Sequence, residues 1–569
     1  MASIIRMTRR SICLLAALFA ISAVHASAEP LTMLHTSGIN IVDANGKKVR
    51  LRGVDVGGWL MMESWMTPAD KSGLTDNYAM IKTLDSRFGV VTEQKLLRTY
   101  QQNWITLQDF DNLKAQGFNF IRLPVWWLNF ETMDGQWRPD AFEMVDWAVK
   151  EAASHGIYVL IDMHGVVGGE SAVQSAGQHD NAYWASQTDQ DATAAIWTKL
   201  AAHFRGNPAV MGYDLINEPF GAPSAPDVWR AYARLYKTVR AVDPEHIAVM
   251  DSTFGSYSWE TLPDPSTYGW KNVVYEMHEY KFGGSGDAVE TGAKDRVASV
   301  NAHRAWDIPA YVGEFNNFGG GSTGRDTWWR VLSYYNDDDI NWTAWTYKAN
   351  HGTGDDSWGL YNPKTPAPPV PDLQHDDAAT IEADWKQWTT SNAYALNPML
   401  AGVLRGGESP VSGTPQPIPG TISMAEYDNG GPGLAYDMGG ATKNQGGVYR
   451  VDAVGIESTT DKSGTGDGYD IGWSEPGNWL RYTVDVAKAG TYTVDFRVSS
   501  GGTGGTFHLA NADSAGLTGP ITVPSTGGWQ SWADVKSTVH LSAGVQTIEL
   551  HEDSDGYNIE YATFTSAAE

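Results

Sequence analysis

Cysteine is almost absent from this sequence. The single cysteine among 569 residues, Cys13, lies in an N-terminal segment with the features of a signal peptide. This segment has a basic start, an apolar run over Ile12–Val24 and a small-residue cleavage site at Ala26-Ser27-Ala28. We therefore predict that residues 1–28 are removed and that the mature protein is secreted, either to the periplasm or outside the cell. A mature chain without cysteine excludes disulfide bonds and thiol catalysis.

Basic residues and long apolar runs are also scarce. The chain has 40 Lys and Arg against 67 Asp and Glu, a formal net charge of -27. Such an acidic surface repels nucleic acid and anionic membranes, so neither is expected as a partner. No charge-free apolar run after the signal peptide is long enough to span a membrane. Tryptophan and tyrosine are abundant instead, at 24 and 25 residues. In an exported acidic protein they favour a neutral polysaccharide partner, and we expect a monomer.

Apolar runs alternate with helical patterns through the first two thirds of the chain. About eight such units predict an α/β fold, a (β/α)8 TIM barrel that forms a catalytic domain over residues 29–404. An open doubly wound sheet is the alternative, but no glycine-rich dinucleotide turn follows the first run. The predicted strands are Leu51–Val56, Phe118–Pro124, Ile157–Asp162, Val210–Asn217, His246–Asp251, Val273–His278, Ala310–Glu314 and Trp342–Trp345.

The composition and the periodicity of the sequence change after Leu404. Residues 405–420 are rich in proline, glycine and serine and lack periodicity, which predicts a linker. Residues 421–566 contain short alternating runs separated by turn residues, which predicts a C-terminal all-β jelly-roll sandwich.

Polar residues follow the ends of the predicted strands. In a (β/α)8 barrel the carboxyl ends of all strands share one face, where catalytic groups lie. Two carboxylates, surrounded by hydrogen-bond donors and an aromatic side chain, are what glycoside hydrolysis requires. A lone glutamate at a strand end is more often a cap or a surface residue, so the prediction depends on the whole set. The set comprises Arg122, His164, Asn217, Glu218, His278, Tyr280, Glu314 and Trp345.

The roles of the two glutamates can be argued physically. A tryptophan-rich pocket and a neighbouring carboxylate both raise the pKa of Glu218, which suits an acid/base. Glu314 must stay ionised to attack the anomeric carbon, and Arg122 and Tyr280 are expected to hold it charged. Asn217 is expected to donate to the sugar 2-hydroxyl. A zinc site is disfavoured because no histidine pair has metal-ligand spacing.

These residues resemble glycoside hydrolase family 5, the cellulase-type branch of retaining barrel hydrolases. The family pattern of Arg, His, Asn-Glu, His-x-Tyr, Glu and Trp at successive strand ends is complete here. The resemblance implies Glu218 as acid/base, Glu314 as nucleophile and the other six residues as substrate-binding groups, with no cofactor for catalysis. A retaining enzyme should hold the two carboxyl groups about 5 Å apart.

Residues 52–68 and 161–170 resemble the β-1,3-glucanase branch of this family. In that branch the carboxylate at the position of Glu63 binds the terminal glucose, which implies exo action on a β-glucan. The Gly57-Gly58-Trp59 run has an alternative interpretation as a close-packed loop. Residues 349–358 depart from the branch pattern, so an endo-β-1,4-glucanase or mannanase stays open, as does a non-catalytic carbohydrate-binding protein. The candidate sugar platforms, each of which is alternatively core, are Trp126, Trp127, Trp184 and Trp358.

The C-terminal sequence resembles a family 6 carbohydrate-binding module in residues 466–482, 523–532 and 553–560. The resemblance implies a sugar-binding site formed by Trp473, Trp529 and Asn558. One of Trp529 and Trp532 is expected to pack in the core instead, and we predict that it is Trp532. It also implies a structural calcium ion at Glu426 and Glu560, although Met424 replaces an expected acidic residue.

Overall fold

A computed structural model of the protein describes residues 30–255, 257–282, 286–316, 327–328, 330–332, 334–336, 338–351, 358–404, 415–428, 435–439, 441, 444–450, 453–463, 465–511 and 515–566. The expected signal peptide at 1–28 and residues 405–414 of the expected linker lie outside the described residues. Secretion therefore stays a prediction. Within the described part of the chain, no helix is long and apolar enough to cross a membrane.

Eight parallel strands close into a barrel in the order β8-β1-β2-β3-β4-β5-β6-β7. Every residue of these strands is buried, as expected for a parallel sheet covered on both faces. The predicted (β/α)8 barrel is thus confirmed, and each strand overlaps the apolar run that predicted it. The strands are β1 (Arg52–Asp55), β2 (Phe120–Trp126), β3 (Tyr158–Gly165), β4 (Val210–Asp214), β5 (Ile247–Asp251), β6 (Val273–Glu279), β7 (Ala310–Phe315) and β8 (Asn341–Ala344).

Helices cover the outside of the barrel, and local sequence signals explain where several begin. Helix α3 starts with a capping box in which the Thr106 N–H donates to Asp109 Oδ2 at 2.6 Å. Helix α6 has a proline in its first turn, where no hydrogen bond is lost. The helices are α1 (Asn77–Phe88), α2 (Val90–Trp104), α3 (Leu107–Ala115), α4 (Glu143–Ser154), α5 (Gln187–Phe204), α6 (Ala225–Val242), α7 (Pro265–Tyr268), α8 (Gly286–Ala302), α9 (Ala378–Trp385), α10 (Thr390–Ala393) and α11 (Pro398–Leu404).

Alternation along the strands divides their side chains between two surroundings. On β3, Val159 and Ile161 pack in the main core with residues of the helices, whereas Leu160 belongs to a separate apolar cluster built from several strands. Asp162 and His164 follow on the same face as Leu160, because side chains alternate along a strand. The barrel interior is therefore apolar towards one end and charged towards the carboxyl ends of the strands.

Two six-stranded sheets form the C-terminal part, which confirms the predicted all-β sandwich. The first has the order β9-β14-β19-β16-β17 with β11 paired to β14, and the second has the order β12-β13-β20-β15-β18 with β10 paired to β20. The strands are β9 (Gln416–Ile418), β10 (Gly420–Ser423), β11 (Tyr436–Asp437), β12 (Gly455–Ser458), β13 (Tyr469–Gly472), β14 (Trp479–Val486), β15 (Gly490–Ser500), β16 (Gly504–Asn511), β17 (Ile521–Pro524), β18 (Gly528–Leu541), β19 (Gly544–Glu552) and β20 (Asn558–Ser566).

The first strand of the sandwich begins inside the segment that the sequence predicted as linker. Gln416–Ile418 pairs in parallel with β14 at the edge of its sheet. Pro417 is tolerated there because an edge strand has one unpaired side. The proline-rich composition of this segment therefore does not indicate the short edge strand that it contains. Two further two-stranded pairs lie outside both units, His35–Ser37 with Asn40–Val42, and Tyr361–Pro363 with Tyr394–Leu396.

Candidate active site

A cavity of about 530 Å³ opens at the carboxyl ends of the barrel strands. Six of the predicted barrel residues line it directly, and Arg122, Asn217 and His278 lie immediately behind them, fully buried. The structure therefore brings all nine predicted barrel residues together. The six lining residues are Glu63, His164, Glu218, Tyr280, Glu314 and Trp345.

Glu314, on β7, is held by donors at both carboxylate oxygens. Arg122 Nη1 donates to Oε1 at 2.8 Å, and the Tyr280 hydroxyl donates to Oε2 at 2.8 Å. Burial alone would raise the pKa of Glu314, but the charges of His278 and Arg122 and the Tyr280 hydrogen bond together hold it below its ordinary value. Glu314 is therefore an ionised, aimed carboxylate.

Glu218 follows the end of β4 in an unusual backbone conformation. Its φ is +39°, in the left-handed region that non-glycine residues rarely adopt. Such residues cost about 1–3 kcal/mol and cluster at functional sites. The Oε1 atom lies 2.9 Å from His278 Nδ1, and Oε2 accepts from the Ser175 hydroxyl at 3.4 Å. Burial raises the pKa of Glu218 although His278 opposes the shift, so the carboxyl can retain a proton.

The two carboxylates are close enough for double displacement. One oxygen of Glu218, one of Glu314 and a nitrogen of His278 all lie within 4.8 Å of one another. Carboxyl groups about 5–5.5 Å apart are typical of retaining glycosidases, and those of inverting enzymes lie about 6.5–9.5 Å apart.

A metal ion is a poor occupant of this triad because His278 already uses both ring nitrogens. Its Nδ1 lies 2.9 Å from Glu218 and its Nε2 lies 3.2 Å from Glu276 Oε1. Burial would lower the pKa of His278, but Glu314, Asp251 and these hydrogen bonds raise it well above its ordinary value. A protonated imidazole has no lone pair for a metal.

Arg122 is the cation at the centre of the site. It is fully buried, and its guanidinium also donates to Asn217 Oδ1 at 2.8 Å. Asn217 Nδ2 in turn lies 3.5 Å from His164 Nε2. One buried cation thus orders residues from several strands. The five carboxylates within 3.5 Å of it belong to Asp55, Asp162, Asp214, Glu276 and Glu314.

Room for one of these carboxylates depends on the residue before Glu314. A Cβ atom added to Gly313 would lie 1.5 Å from Glu276 Oε1. Glycine at position 313 therefore lets Glu276 reach both His278 and Arg122.

Trp345 and His164 form a flat wall of the cavity. Their rings stack at 5.4 Å with an interplanar angle of 11°. Asp162 Oδ2 lies 2.6 Å from His164 Nδ1 and fixes the imidazole, while burial lowers the pKa of His164. A neutral imidazole beside an indole face suits a sugar ring with its hydroxyl groups.

Glu63 faces the same cavity with one oxygen unengaged. Oε2 accepts from Trp65 Nε1 at 2.8 Å, whereas Oε1 is buried and has no hydrogen-bond partner among the described residues. Burial raises the pKa of Glu63 to about 7. The close-packed interpretation of the nearby glycines also holds, because a Cβ on Gly57 would lie 2.9 Å from Trp345. The loop is therefore both tightly packed and directed at the site.

The candidate sugar platforms separate into two groups. Trp126 and Trp127 are buried in the core, so for them the core alternative is correct. Trp184 is half-buried and donates to the Glu170 carbonyl at 2.7 Å. Trp358 lines the cavity, with its ring 4.8 Å from Trp65.

Sequence reasoning missed several residues of the cavity rim. Phe282 is 71% exposed and stacks on Tyr280 at 5.4 Å. Phe220 and Tyr257 form another aromatic pair, at 5.5 Å. These residues lie in loops beyond the strand ends, where no periodicity or spacing marks them.

The C-terminal unit has its own cavity of about 280 Å³. Trp473 and Trp529 line it and are 42% and 50% exposed, respectively. Asn558 Nδ2 donates to Glu457 Oε1 at 2.8 Å and to the Trp529 carbonyl at 3.2 Å. The structure therefore brings together the three residues predicted to bind sugar in this unit.

The expected core position of Trp532 is wrong. Trp532 is half-buried and lies outside the sandwich core. Along β18 it shares its face with the exposed residues Asp534 and Lys536, whereas Val539 and Leu541 on the opposite face are buried in the core. The period of two thus places its ring on the outer face of the sheet.

The two expected calcium ligands lie beside the same loop, since a Cβ atom on Gly466 would lie 2.5 Å from Glu560 Oε1, and burial and the charge of Asp467 raise the pKa of Glu426. Glu426 is exposed, and no group of three acidic or histidine ligands in the described residues includes Glu426 or Glu560. Burial and the neighbouring carboxyl of Asp461 raise the pKa of Glu560 to about 8. Neighbouring carboxyls raise each other's pKa wherever no cation balances their charge, so this shift is compatible with a calcium site. Calcium binding at Glu426 and Glu560 stays a prediction.

A (β/α)8 barrel that delivers glutamates from its fourth and seventh strands to one cavity defines a class, the barrel glycoside hydrolases. The family described as Cellulase (glycosyl hydrolase family 5) matches residues 42–351, more than half of the chain. The chain belongs to this family and is a glycosidase. The Carbohydrate binding module (family 6) matches residues 450–566.

Several curated proteins are similar to this chain. A Beta-xylosidase of Phanerodontia chrysosporium is 28% identical over 350 residues, covering 56% of this chain and 71% of the relative. A Probable glucan 1,3-beta-glucosidase A of Aspergillus niger is 25% identical over 311 residues, covering 52% of this chain and 72% of the relative. Among solved structures, an endogalactoceramidase is 17% identical with a TM-score of 0.47, covering 92% of this chain and all of that one.

Proposed function

We propose that the protein is a retaining exo-β-glucosidase that removes glucose from the non-reducing ends of a β-1,3-glucan. The observation that carries the proposal is the approach of the Glu218 and Glu314 oxygens to within 4.8 Å. The relatives named as glucan 1,3-beta-glucosidases support the linkage. We further propose that the protein is exported before it acts.

The reaction takes two displacements. In the first, Glu314 attacks the anomeric carbon while Glu218 gives its proton to the departing glycosidic oxygen, so a glycosyl–Glu314 ester forms as the glycosidic bond breaks. In the second, Glu218 removes a proton from water, and the water oxygen displaces Glu314 from the anomeric carbon. The raised pKa of Glu218 and the lowered pKa of Glu314 support this division of roles.

The surrounding residues position the sugar. Trp345 supplies the face beneath the ring, and the Asn217 amide, which lies beside His164, donates to the sugar 2-hydroxyl. Glu63 supports exo action, because its unengaged Oε1 offers an acceptor to the hydroxyls of a terminal glucose.

The C-terminal module is proposed to hold the enzyme on its polymer. Trp473 and Trp529 present exposed rings to the cavity that Asn558 also lines. Two rings and an amide suit a neutral sugar, since the rings stack and the amide bonds to hydroxyl groups.

A panel of laminarin, lichenan, carboxymethyl cellulose, mannan and xylan tests the assignment. The proposal expects glucose as the first product from laminarin, with retention of the β-configuration by NMR. Oligosaccharides from cellulose or mannan would indicate an endo enzyme instead. Release of xylose alone would favour a β-xylosidase, which the name of one relative makes the second candidate.

The nucleophile is tested separately. Glu314→Gln should abolish turnover while polymer binding by the C-terminal module persists. A 2-deoxy-2-fluoro glycoside with a good leaving group should label Glu314 in the wild type, as detected by peptide mass spectrometry. Substantial activity in the variant, or a label on another residue, would refute the assignment.

A further inference from the structure

Strand β5 ends on a carboxylate outside the set that the sequence predicted. Asp251 is fully buried at this strand end, on the barrel face that carries the active site. Its Oδ2 accepts the backbone N–H of Glu218 at 2.8 Å. Its Oδ1 accepts the Thr253 N–H at 2.8 Å and also the Thr253 hydroxyl. Both oxygens of Asp251 are therefore engaged, and one of them holds the main chain of Glu218.

The backbone that Asp251 holds is the one that needs support. Glu218 lies in the left-handed region at φ +39°, and such a conformation persists only where its surroundings enforce it. Glycine would adopt it freely but would remove the carboxyl. In a right-handed or extended backbone conformation, the side chain of Glu218 would point in another direction, away from His278.

A buried tyrosine strengthens the same connection. The hydroxyl of Tyr232, on α6, lies 2.8 Å from the Asp251 carbonyl oxygen and accepts the Asp251 N–H at 3.0 Å. It also lies 3.2 Å from the carbonyl oxygen of Ile216, two residues before Glu218. Tyr232 therefore ties the end of β4 to the end of β5.

We propose that Asp251 is a positioning residue that locks the left-handed backbone of Glu218 and thereby aims its carboxyl at the glycosidic oxygen. The proposal rests on the acid/base role proposed above for Glu218. It predicts a selective defect, because Glu314 is held by Arg122 and Tyr280 and has no hydrogen bond to Asp251 in the described residues. Asp251 Oδ2 also lies 3.8 Å from His278 Nε2, and its charge helps to keep His278 protonated beside both glutamates. Loss of Asp251 should therefore impair proton transfer far more than nucleophilic attack.

Asp251→Asn is the decisive variant. An asparagine of the same shape must turn its NH₂ group towards the N–H of either Glu218 or Thr253, so one of the two hydrogen bonds is lost. Asp251→Ala removes both acceptors and is measured beside it, because an asparagine could keep its oxygen on the Glu218 N–H. The assay compares kcat/KM for a short β-glucan oligosaccharide with that for the 2,4-dinitrophenyl glycoside of the same sugar. The phenolate leaves without a proton, so this second substrate reports attack by Glu314 alone.

We expect the variant to lose roughly 100-fold on the oligosaccharide, the range of general acid catalysis, and to change little on the dinitrophenyl glycoside. Sodium azide should accelerate turnover and yield a glycosyl azide, because azide needs no base to attack the glycosyl–Glu314 ester. An equal loss on both substrates without azide rescue would overturn the proposal and leave Asp251 a structural residue.

Three further variants separate the possible outcomes. Asp243→Asn changes another fully buried aspartate, bonded to Tyr213 and His246 outside the cavity, and should leave the ratio of the two substrates unchanged. Tyr232→Phe should show the Asp251→Asn pattern more weakly, and it decides the matter if Asp251→Asn does not fold. Glu218→Gln is the reference. If it shows no substrate difference, the acid/base assignment fails. If the reference behaves as expected while Asp251→Asn and Asp251→Ala are both unaltered, the positioning role alone is refuted.

Discussion

Removing one hydroxyl group, in Tyr280→Phe, tests what keeps Glu314 charged. The Tyr280 hydroxyl donates to Glu314 Oε2 at 2.8 Å, and the phenylalanine ring can keep the stacking contact with Phe282. A hydrogen bond to a charged group contributes about 1.5–3 kcal/mol. Arg122 still holds the other oxygen, so the nucleophile should stay in place.

The sign of the effect on the pH profile follows from the direction of the pKa shift. The pKa of Glu314 lies below its ordinary value, and the Tyr280 hydrogen bond is one cause of that. Without this donor the pKa rises, so Glu314 becomes protonated, and attack stops, at a higher pH than in the wild type. At pH values below this limb we expect kcat/KM to fall roughly 10- to 100-fold, since about 1.4 kcal/mol corresponds to a factor of ten.

The assay is the pH dependence of kcat/KM on an aryl β-glycoside for both proteins. Tyr335→Phe is the control, because Tyr335 is fully buried away from the cavity lining and its hydroxyl has no hydrogen-bond partner in the described residues. The acid limb should move towards neutral pH for Tyr280→Phe alone. A uniform loss at every pH, with an unmoved limb, would show that the hydroxyl does not set the charge of Glu314.

Three other substitutions test separate parts of the structure. Trp529→Ala should weaken binding to insoluble polymer roughly tenfold in a pull-down assay while hydrolysis of a soluble oligosaccharide is unchanged. Trp479→Ala is the control. An equal loss of binding and hydrolysis would place the module in the catalytic cleft. Glu63→Gln should lower kcat/KM on short oligosaccharides roughly 10- to 100-fold, and an unchanged value would argue against its contact with a terminal sugar. Burial raises the pKa of Glu93, which is 1% exposed, to about 8. The folded state therefore retains a proton that the unfolded chain loses near pH 4.5, and the stability of the wild type should fall as the pH rises from 4.5 to 8. The difference in Tm between Glu93→Gln and the wild type should therefore change in favour of the variant from pH 5 to pH 8 and then stay constant. A Tm difference that does not change with pH would contradict the raised pKa of Glu93.

The sequence predicts the positions of Glu218 and Glu314 in one cavity because two simple rules coincide there. Apolar runs mark buried parallel strands, and the residue that ends such a run projects from a rigid element into the shared face. Glu218 and Glu314 follow from these rules. Arg122 lies within β2, and its contact with Glu314 agrees with the expected partnership.

The parts that the sequence does not predict depend on geometry between strands. Asp251 ends a correctly predicted strand, but its partner is the backbone N–H of Glu218, which follows β4. No spacing in the sequence indicates such a contact. The predicted core position of Trp532 is wrong because hydrophobicity alone does not tell which face of a strand a residue occupies. Phe282 lies in a loop whose path no local pattern dictates.

Glycine at position 313 has a consequence for how this protein can evolve. Any side chain there would occupy the space of the Glu276 carboxylate on the neighbouring strand. Substitutions at positions 313 and 276 should therefore occur together or not at all. A library that randomises residue 313 alone should yield almost only glycine at that position. The residue beside the proposed nucleophile is thus fixed by a neighbouring strand rather than by the substrate.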